Sequence, residues 1–320
     1  MPIRFRPRSN AVHAGCRAAR MQRGSCRGLP GPVVVFAVLA CLLLAVEPAL
    51  AVCERTGVQL QILGSGGPGA SAGRASAGYL VWIDGVGRIL VDAGGGIKQR
   101  FHASGADLGD VALLALSHLH PDHAAAVPAL LWPRGATLRV AGPSGSGLFP
   151  SLDDWLTGLF GPQGVFRVLA GRLDLDPVTV DVTGGAVEVW RDGDVRVTGI
   201  GVPHGGVPAV GYRMDAGDAS VAFSSDQNGS DPAFIEFVRN VDVLVVHLGR
   251  AEDATGRSVE LHASPSGWGA VAAEAGVGRV VASHISTSSP RVLADSLGYL
   301  RESYGGPLTV GEDLLCVAVP

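Results

Sequence analysis

Alternation and short apolar runs divide the chain beyond residue 52 into many brief elements. Val58-Gln-Leu-Gln-Ile-Leu63 alternates and then breaks at Gly64-Ser-Gly-Gly-Pro-Gly69, a strand running into a glycine-rich loop. Tyr79–Ile83 and Arg88–Asp92 read as two more strands around a turn at 84–87, and Gly94–Ala103 as a loop leading into a helix. Val111–Leu116 predicts a buried strand, followed by a helix from Ala124 to Leu131 and a strand at Leu138–Val140. Residues 148–179, with Trp155, Phe160 and Phe166, are less regular and predict helices. Strands return at Ala186–Trp190, Val195–Ile200, Ala209–Met214, Ser220–Ser224 and Val241–Val246; a helix at Ser264–Ala275 precedes strands at Arg279–Ala282 and Leu314–Val319. Two strand-rich halves with helices interposed predict two sheets packed face to face with helices outside.

The first 51 residues have a different pattern. Arg4, Arg6, Arg8, Arg17, Arg20, Arg23 and Arg27 precede the apolar run Val33–Val46, which ends near Ala49-Leu-Ala51. A basic region, an apolar region and an A-x-A site make a secretory signal peptide, with Met21 the expected true start. A membrane anchor fits less well, because the run of 14 residues falls short of the roughly 20 needed to span a bilayer. A lipoprotein reading of Val38-Leu-Ala-Cys41 is weaker still, since the apolar run continues past the cysteine. Residues 52–320 are then expected to form one domain, secreted or periplasmic, with no membrane contact after cleavage.

Removing the leader changes the charge. The chain carries 25 basic and 29 acidic residues; the leader takes seven arginines and Glu47, leaving 18 basic and 28 acidic, a net of −10. Lys98 is the only lysine. So acidic a sum, without a basic stripe, argues against a nucleic-acid partner, while leaving room for a small anion drawn in by a metal. Cys53 and Cys316 remain near the two ends, either bridged or as free thiols.

The chemistry concentrates in Ser117-His-Leu-His-Pro-Asp-His123, directly behind an apolar strand. Each buried imidazole needs a partner or costs stability, and a strand core offers few. At a strand end His118 and His120 point to one side and can share a metal; Asp122 and His123, on the turn into the next helix, can aim at a second. The glycine loop at 64–69 fits neither a Walker nor a dinucleotide spacing and reads as a tight turn.

H-x-H-x-D-H after an apolar strand resembles the signature of the metallo-β-lactamase superfamily, and the resemblance extends over about residues 58–319. It implies a four-layer αββα sandwich, an α/β fold. Asp92 in Leu90-Val-Asp-Ala-Gly94 resembles the aspartate that supports the ligand loops; Pro203-His204, Phe223-Ser-Ser-Asp226 and Ala282-Ser-His284 resemble the later ligand motifs. The implied metal ligands are His118, His120, His204 and Asp226 on one ion, with Asp122, His123, Asp226 and His284 on the other. Two divalent ions are expected, zinc above all, with manganese or iron tolerated by the same ligands. Asp122 and His262 are the candidate catalytic residues. His262, before a helix, resembles the proton-donating histidine of the ribonuclease Z-like branch, or is simply a neighbour of that helix. His102 and His247 are left as structural.

The motifs most resemble the branch holding ribonuclease Z, arylsulfatases and class II cyclic-nucleotide phosphodiesterases. Ser225, Gln227 and Leu248 depart from it, standing where glycine, threonine and often glutamate occur. The expectation is a secreted dinuclear hydrolase of small phosphodiesters or sulfate esters, acting through a metal-bridging hydroxide on an anionic small molecule, with nucleic acid disfavoured. Three alternatives stand beside it: a ribonuclease Z-like endonuclease, a lactonase or β-lactamase-type hydrolase, and a non-catalytic metal-binding relative. Arg74 is expected either to hold the anion or to be structural, and Trp155, Phe160 and Phe166 either to floor a pocket or to fill the core.

Overall fold

The computed structural model describes residues 53–69, 73–133 and 135–320. The expected leader lies outside them. Fourteen strands among the described residues form two seven-stranded sheets. The first orders β14 (Leu315–Val319), β1 (Val58–Gly64), β2 (Gly78–Ile83), β3 (Val86–Val91), β4 (Leu113–Ala115), β5 (Ala136–Pro143) and β6 (Leu173–Val180). The second orders β13 (Leu308–Val310), β12 (Arg279–Ser283), β11 (Val243–His247), β10 (Ala219–Phe223), β9 (Val207–Ala216), β8 (Val195–His204) and β7 (Val187–Asp192). Antiparallel hairpins build the outer part of each sheet, and parallel pairings β3–β4–β5–β6 and β10–β11–β12–β13 the rest.

The strands bury both faces. Leu60, Ile62, Tyr79, Val81, Val91, Val197, Tyr212 and Phe223 meet between the sheets. Leu80, Leu90 and Leu114 face the other way, under helices α1 (Ile97–Ala103), α2 (Pro121–Ala124), α3 (Val127–Leu131) and α4 (Leu152–Phe160). Ala222, Leu244, Val246 and Val280 do the same in the second sheet, under α5 (Pro232–Phe237), α7 (Pro265–Glu274) and α8 (Pro290–Ser303). The result is the expected four layers, helix, sheet, sheet, helix. Burial on both faces explains why the central parallel strands β4, β11 and β12 read as continuous apolar runs.

Several boundaries differ from the sequence reading. The helix expected at Ala124–Leu131 starts at Pro121 and divides at Ala125-Ala126; proline at the first helical position suits a helix start, where its missing N–H is not needed. The expected helices of residues 148–179 shrink to α4 and a short 3₁₀ stretch at Arg167–Arg172, followed by the exposed edge strand β6. That strand carries Asp174, Asp176 and Pro177, residues suited to an unpaired edge and hard to read as strand. The short α6 (Arg257–Leu261) offers no apolar stripe. Helix α8, by contrast, carries Leu293, Leu297 and Leu300 at helical spacing, is capped by Ser289, whose side chain accepts from Val292 N, and opens on Pro290, so this helix, absent from the expectations, is signalled in the sequence. Cys53 and Cys316 are joined in a disulfide, tying the first described residue to β14.

Candidate metal centre

Strand ends bring the candidate residues together. Parallel register sets Val91 beside Ala115 and His247 beside Ser283, so the residues that follow β3, β4 and β12 leave the sheets at the same edge. His204 closes β8 at its hairpin with β9, and Asp226 follows β10 after two serines. Asp92, Ser225 and His284 all adopt positive φ, of 59°, 60° and 50°. Non-glycine residues held there cost of order 1–3 kcal/mol each, and such strain collects where a site needs a side chain aimed against local preference.

Two groups of ligand atoms result. His118 Nε2 lies 2.9 Å from His120 Nδ1, with His204 completing the group. His123 Nε2 lies 3.1 Å from His284 Nε2, and Asp122 Oδ2 is 3.3 Å from His284 Nε2 and 3.6 Å from His123 Nε2. Asp226 stands between them. Its Oδ2 is 4.0 Å from His118 Nε2 and from His204 Nε2 and 3.6 Å from His123 Nε2, while its Oδ1 is 3.5 Å from His284 Nε2. Two nitrogens bound tetrahedrally at about 2.0–2.1 Å would sit about 3.3 Å apart, so these spacings fit metal ions. His204 Nε2 and His284 Nδ1 are buried with no hydrogen-bond partner; the first is aimed at Asp226, as an imidazole meant for a metal would be. The cluster can hold metal.

The rings are held from behind. Asp92 Oδ2 sits 2.7 Å from His123 Nδ1 and accepts from the Ser117 hydroxyl at 2.8 Å, while its Oδ1 accepts from Ser117 N at 2.7 Å. The Leu261 carbonyl lies 2.7 Å from His204 Nδ1. His247, fully buried, places Nδ1 2.9 Å from Asp226 Oδ1 and Nε2 3.0 Å from the Tyr79 hydroxyl, which in turn is 3.1 Å from Ser283 Oγ. Both nitrogens of His247 are occupied by protein, so it orients Asp226 rather than competing for an ion.

Protonation follows from these contacts. Burial pushes His204 and His247 down to about 4 and His118 well below the ordinary imidazole value. Burial also works against the His123 cation, but Asp92 and Asp226 outweigh it and lift that ring well above its ordinary value. Asp226 is held well below the carboxylate range, the neighbouring His284 and His123 overriding its burial; Asp122 falls to about 2 by the same balance, chiefly through His284. Neutral imidazoles and ionised carboxylates are the forms that bind metal.

His262 completes the cluster. Its Nδ1 is 3.8 Å from Asp226 Oδ2 and has no hydrogen-bond partner. Gly249 makes this approach possible, since a Cβ there would fall 2.3 Å from His262 Nδ1. Gly94 does the same for Asp122, whose carbonyl oxygen a Cβ would meet at 2.0 Å. Neither glycine is singled out by the sequence, because the need arises from a tertiary contact. Arg74 is structural: it donates to Ser65 Oγ and the Gly311 carbonyl, both at 2.6 Å. Phe160 is core, whereas Trp155 and Phe166 line a cavity, and His102 is exposed on α1.

The profile of the β-lactamase superfamily domain matches residues 87–285, which hold all of these ligand candidates. The chain belongs to this superfamily. Its fold is the metallo-β-lactamase fold: the protein YhfI of Bacillus subtilis, of that fold, superposes with a TM-score of 0.65 at 19% identity, covering 82% of this chain and 99% of its own. The short form of human tRNase Z gives 0.64 at 17% identity, over 82% and 99%. In sequence, the ribonuclease Z of Mycobacterium marinum is 29% identical over 286 residues, 82% of this chain and 99% of its own.

This likeness overturns one expectation. A small-molecule anionic ester partner, with nucleic acid disfavoured, conflicts with superfamily relatives named as ribonucleases Z over four-fifths of the chain. The net charge of −10 sums a whole surface, whereas a polyanion meets a local one, so the sum was the wrong measure.

Proposed function

We propose that this superfamily member is a metal-dependent phosphodiesterase that cleaves RNA. The observation carrying it is the position of Asp226 between two groups of imidazoles, within 4.0 Å of both. His118, His120 and His204 would hold one divalent ion, Asp122, His123 and His284 a second, and Asp226 both; zinc suits this donor set. Bound metals supply Lewis acidity, lowering the pKa of water and neutralising charge on phosphoryl oxygens. The chain's own groups do the rest. Asp92, Ser117 and His247 fix the ligands in orientation. His262, which burial holds below its ordinary pKa, has Nδ1 free to take a proton from the attacking water and deliver it to the departing ribose oxygen. The leader pattern and the Cys53–Cys316 disulfide support an exported protein, since such bridges persist in oxidising compartments.

The test is cleavage of an end-labelled precursor-tRNA transcript by purified protein with its metal content counted. Cleavage that chelation abolishes, zinc restores and His118→Ala removes is expected. Protein with two bound metals that leaves RNA intact would sink the reading.

A further inference from the structure

A cavity of about 580 Å³ opens on the helical side of the first sheet, and the mechanism above leaves it unused. Its walls include Trp155, Trp132 and Phe166; the last two remain 45% and 41% exposed, unusual for large aromatic side chains with an apolar cavity beside them. Two further lining residues belong to the metal motif itself. Leu119 lies between His118 and His120, and Pro121 between His120 and Asp122. The cavity therefore adjoins the metal centre through one short piece of backbone, Leu119 turning outward where its histidine neighbours turn in.

Cations mark its rim. Lys98, the chain's only lysine, lines the cavity and donates to the Trp132 carbonyl at 2.9 Å. The Arg172 guanidinium lies 5.7 Å from the Trp132 ring centroid and donates to the Pro133 carbonyl. Planar aromatic surface with positive charge at its edge matches a ligand that is itself planar, aromatic and anionic. Single-stranded nucleic acid is such a ligand: bases stack on aromatic side chains while cations follow the backbone. An apolar partner protein would gain nothing from the two cations.

We propose that this cavity is a base-stacking subsite for the single strand flanking the scissile phosphodiester, with Trp132 and Phe166 as stacking platforms and Lys98 as the phosphate contact. The inference rests on the RNA reading above and gives it a grip: Lys98 and Arg172 meet Trp132 at a cavity that shares Leu119 and Pro121 with the metal motif.

The experiment is single-turnover cleavage of a transcript with an unpaired 3′ extension, over a range of enzyme concentrations, by wild type, Trp132→Ala, Phe166→Ala and Lys98→Met, with sedimentation velocity on each. Each aromatic substitution is expected to raise the half-saturating concentration about tenfold while changing the maximal rate constant far less. Lys98→Met should weaken binding and lower its salt dependence by about one phosphate contact. The exposed positions of Trp132 and Phe166 allow substitution without disturbing the core, and far-ultraviolet circular dichroism checks that. Half-saturation unchanged in all three variants, with wild-type cleavage intact, overturns the subsite alone. A wild-type dimer that Trp132→Ala converts to monomer, at unaltered half-saturation, overturns it in favour of a second copy of the chain. Wild-type protein that neither binds nor cleaves the transcript overturns the RNA reading and this inference with it.

Discussion

The two halves of the metal centre are built to different specifications. On one side His123, Asp226 and His284 are buried, and fixed partners stand behind two of them: Asp92 holds His123, and His247 backed by Tyr79 holds Asp226. On the other side His118 is buried with the Ser117 hydroxyl 3.1 Å from its Nδ1, but His204 is anchored only by a backbone carbonyl and His120 is partly exposed. The first half is held from behind by carboxylate, imidazole and phenol groups of both sheets; the second is held by one hydroxyl and one backbone carbonyl and opens to solvent at His120. An open half beside a rigid one is where a substrate can enter without dismantling the ligands. Asp226, common to both, is the point where the difference can be tested hardest.

Asp226→Ala should have the largest effect. It removes the carboxylate facing both groups, and loss of several kcal/mol of charge stabilisation corresponds to at least about a 10³-fold fall in kcat. Metal content by emission spectroscopy should fall with it; retention of two ions with normal turnover would remove Asp226 from its place between the halves. His262→Ala should come next, lowering kcat by about 10²–10⁴-fold while metal content stays at the wild-type level. Gly249→Ala, which pushes a methyl group toward the same ring, should reproduce part of that loss without touching a titratable group.

Acid separates the halves by sign. His204 has a folded value of about 4 against an ordinary 6.5, so between those values the unfolded chain binds the proton that the folded chain refuses. Metal-free protein should therefore lose stability as pH falls from about 6.5 toward 4, by up to about 3 kcal/mol from His204 alone. His123 acts oppositely. Its raised value contributes stability that is full below 6.5 and is lost as pH rises through the folded value. Because His118, His120, His247 and His262 are lowered as His204 is, the net should be acid sensitivity, read as a melting temperature falling with pH; His123→Asn should leave the slope of that fall unchanged and remove the opposite trend above about 6.5, where the wild type loses the His123 contribution as pH rises.

Tyr79→Phe tests the support of the rigid half. Asp226 can only accept, so His247 donates from Nδ1, and its Nε2 lies 3.0 Å from the hydroxyl of Tyr79, which burial keeps protonated and which donates to Ser283 Oγ, so the ring is wedged between a carboxylate and a phenol. Removing the hydroxyl frees the ring that orients Asp226, and metal affinity measured by chelator competition should drop about tenfold. No change would mean that packing alone holds His247.

Much of this arrangement is legible in the chain. H-x-H-x-D-H, Asp226 and His284 each follow an apolar strand and His204 ends one, and the fold delivers them to one edge because the parallel strands end together where the β8–β9 hairpin turns. What stayed hidden is what depends on contacts between distant segments. Tyr79 and His247 are 168 residues apart, and nothing in Gly78–Ile83 distinguishes a tyrosine that supports a ligand from one that fills a core. Gly249 is one of 46 glycines, and only the position of His262 makes it necessary. The cavity aromatics were equally ambiguous, since Phe160 and Phe166 differ in burial and not in local pattern.

The smallest predicted effect concerns Ser225, just ahead of Asp226. Its φ of 60° lies in the left-handed region, which costs an L-residue roughly 1–2 kcal/mol, and its hydroxyl is buried without a partner. Glycine, which stands here in the related motif, has neither liability. Ser225→Gly should therefore stabilise the protein by about 1–2 kcal/mol, raising the melting temperature by a few degrees for a domain of this size. If the strain only holds Asp226 in place, the added backbone freedom should also weaken metal binding. A variant that is more stable and binds metal as tightly as the wild type would show that His247 and Tyr79 alone position the carboxylate, placing the rigidity of this half in the sheet rather than in the loop.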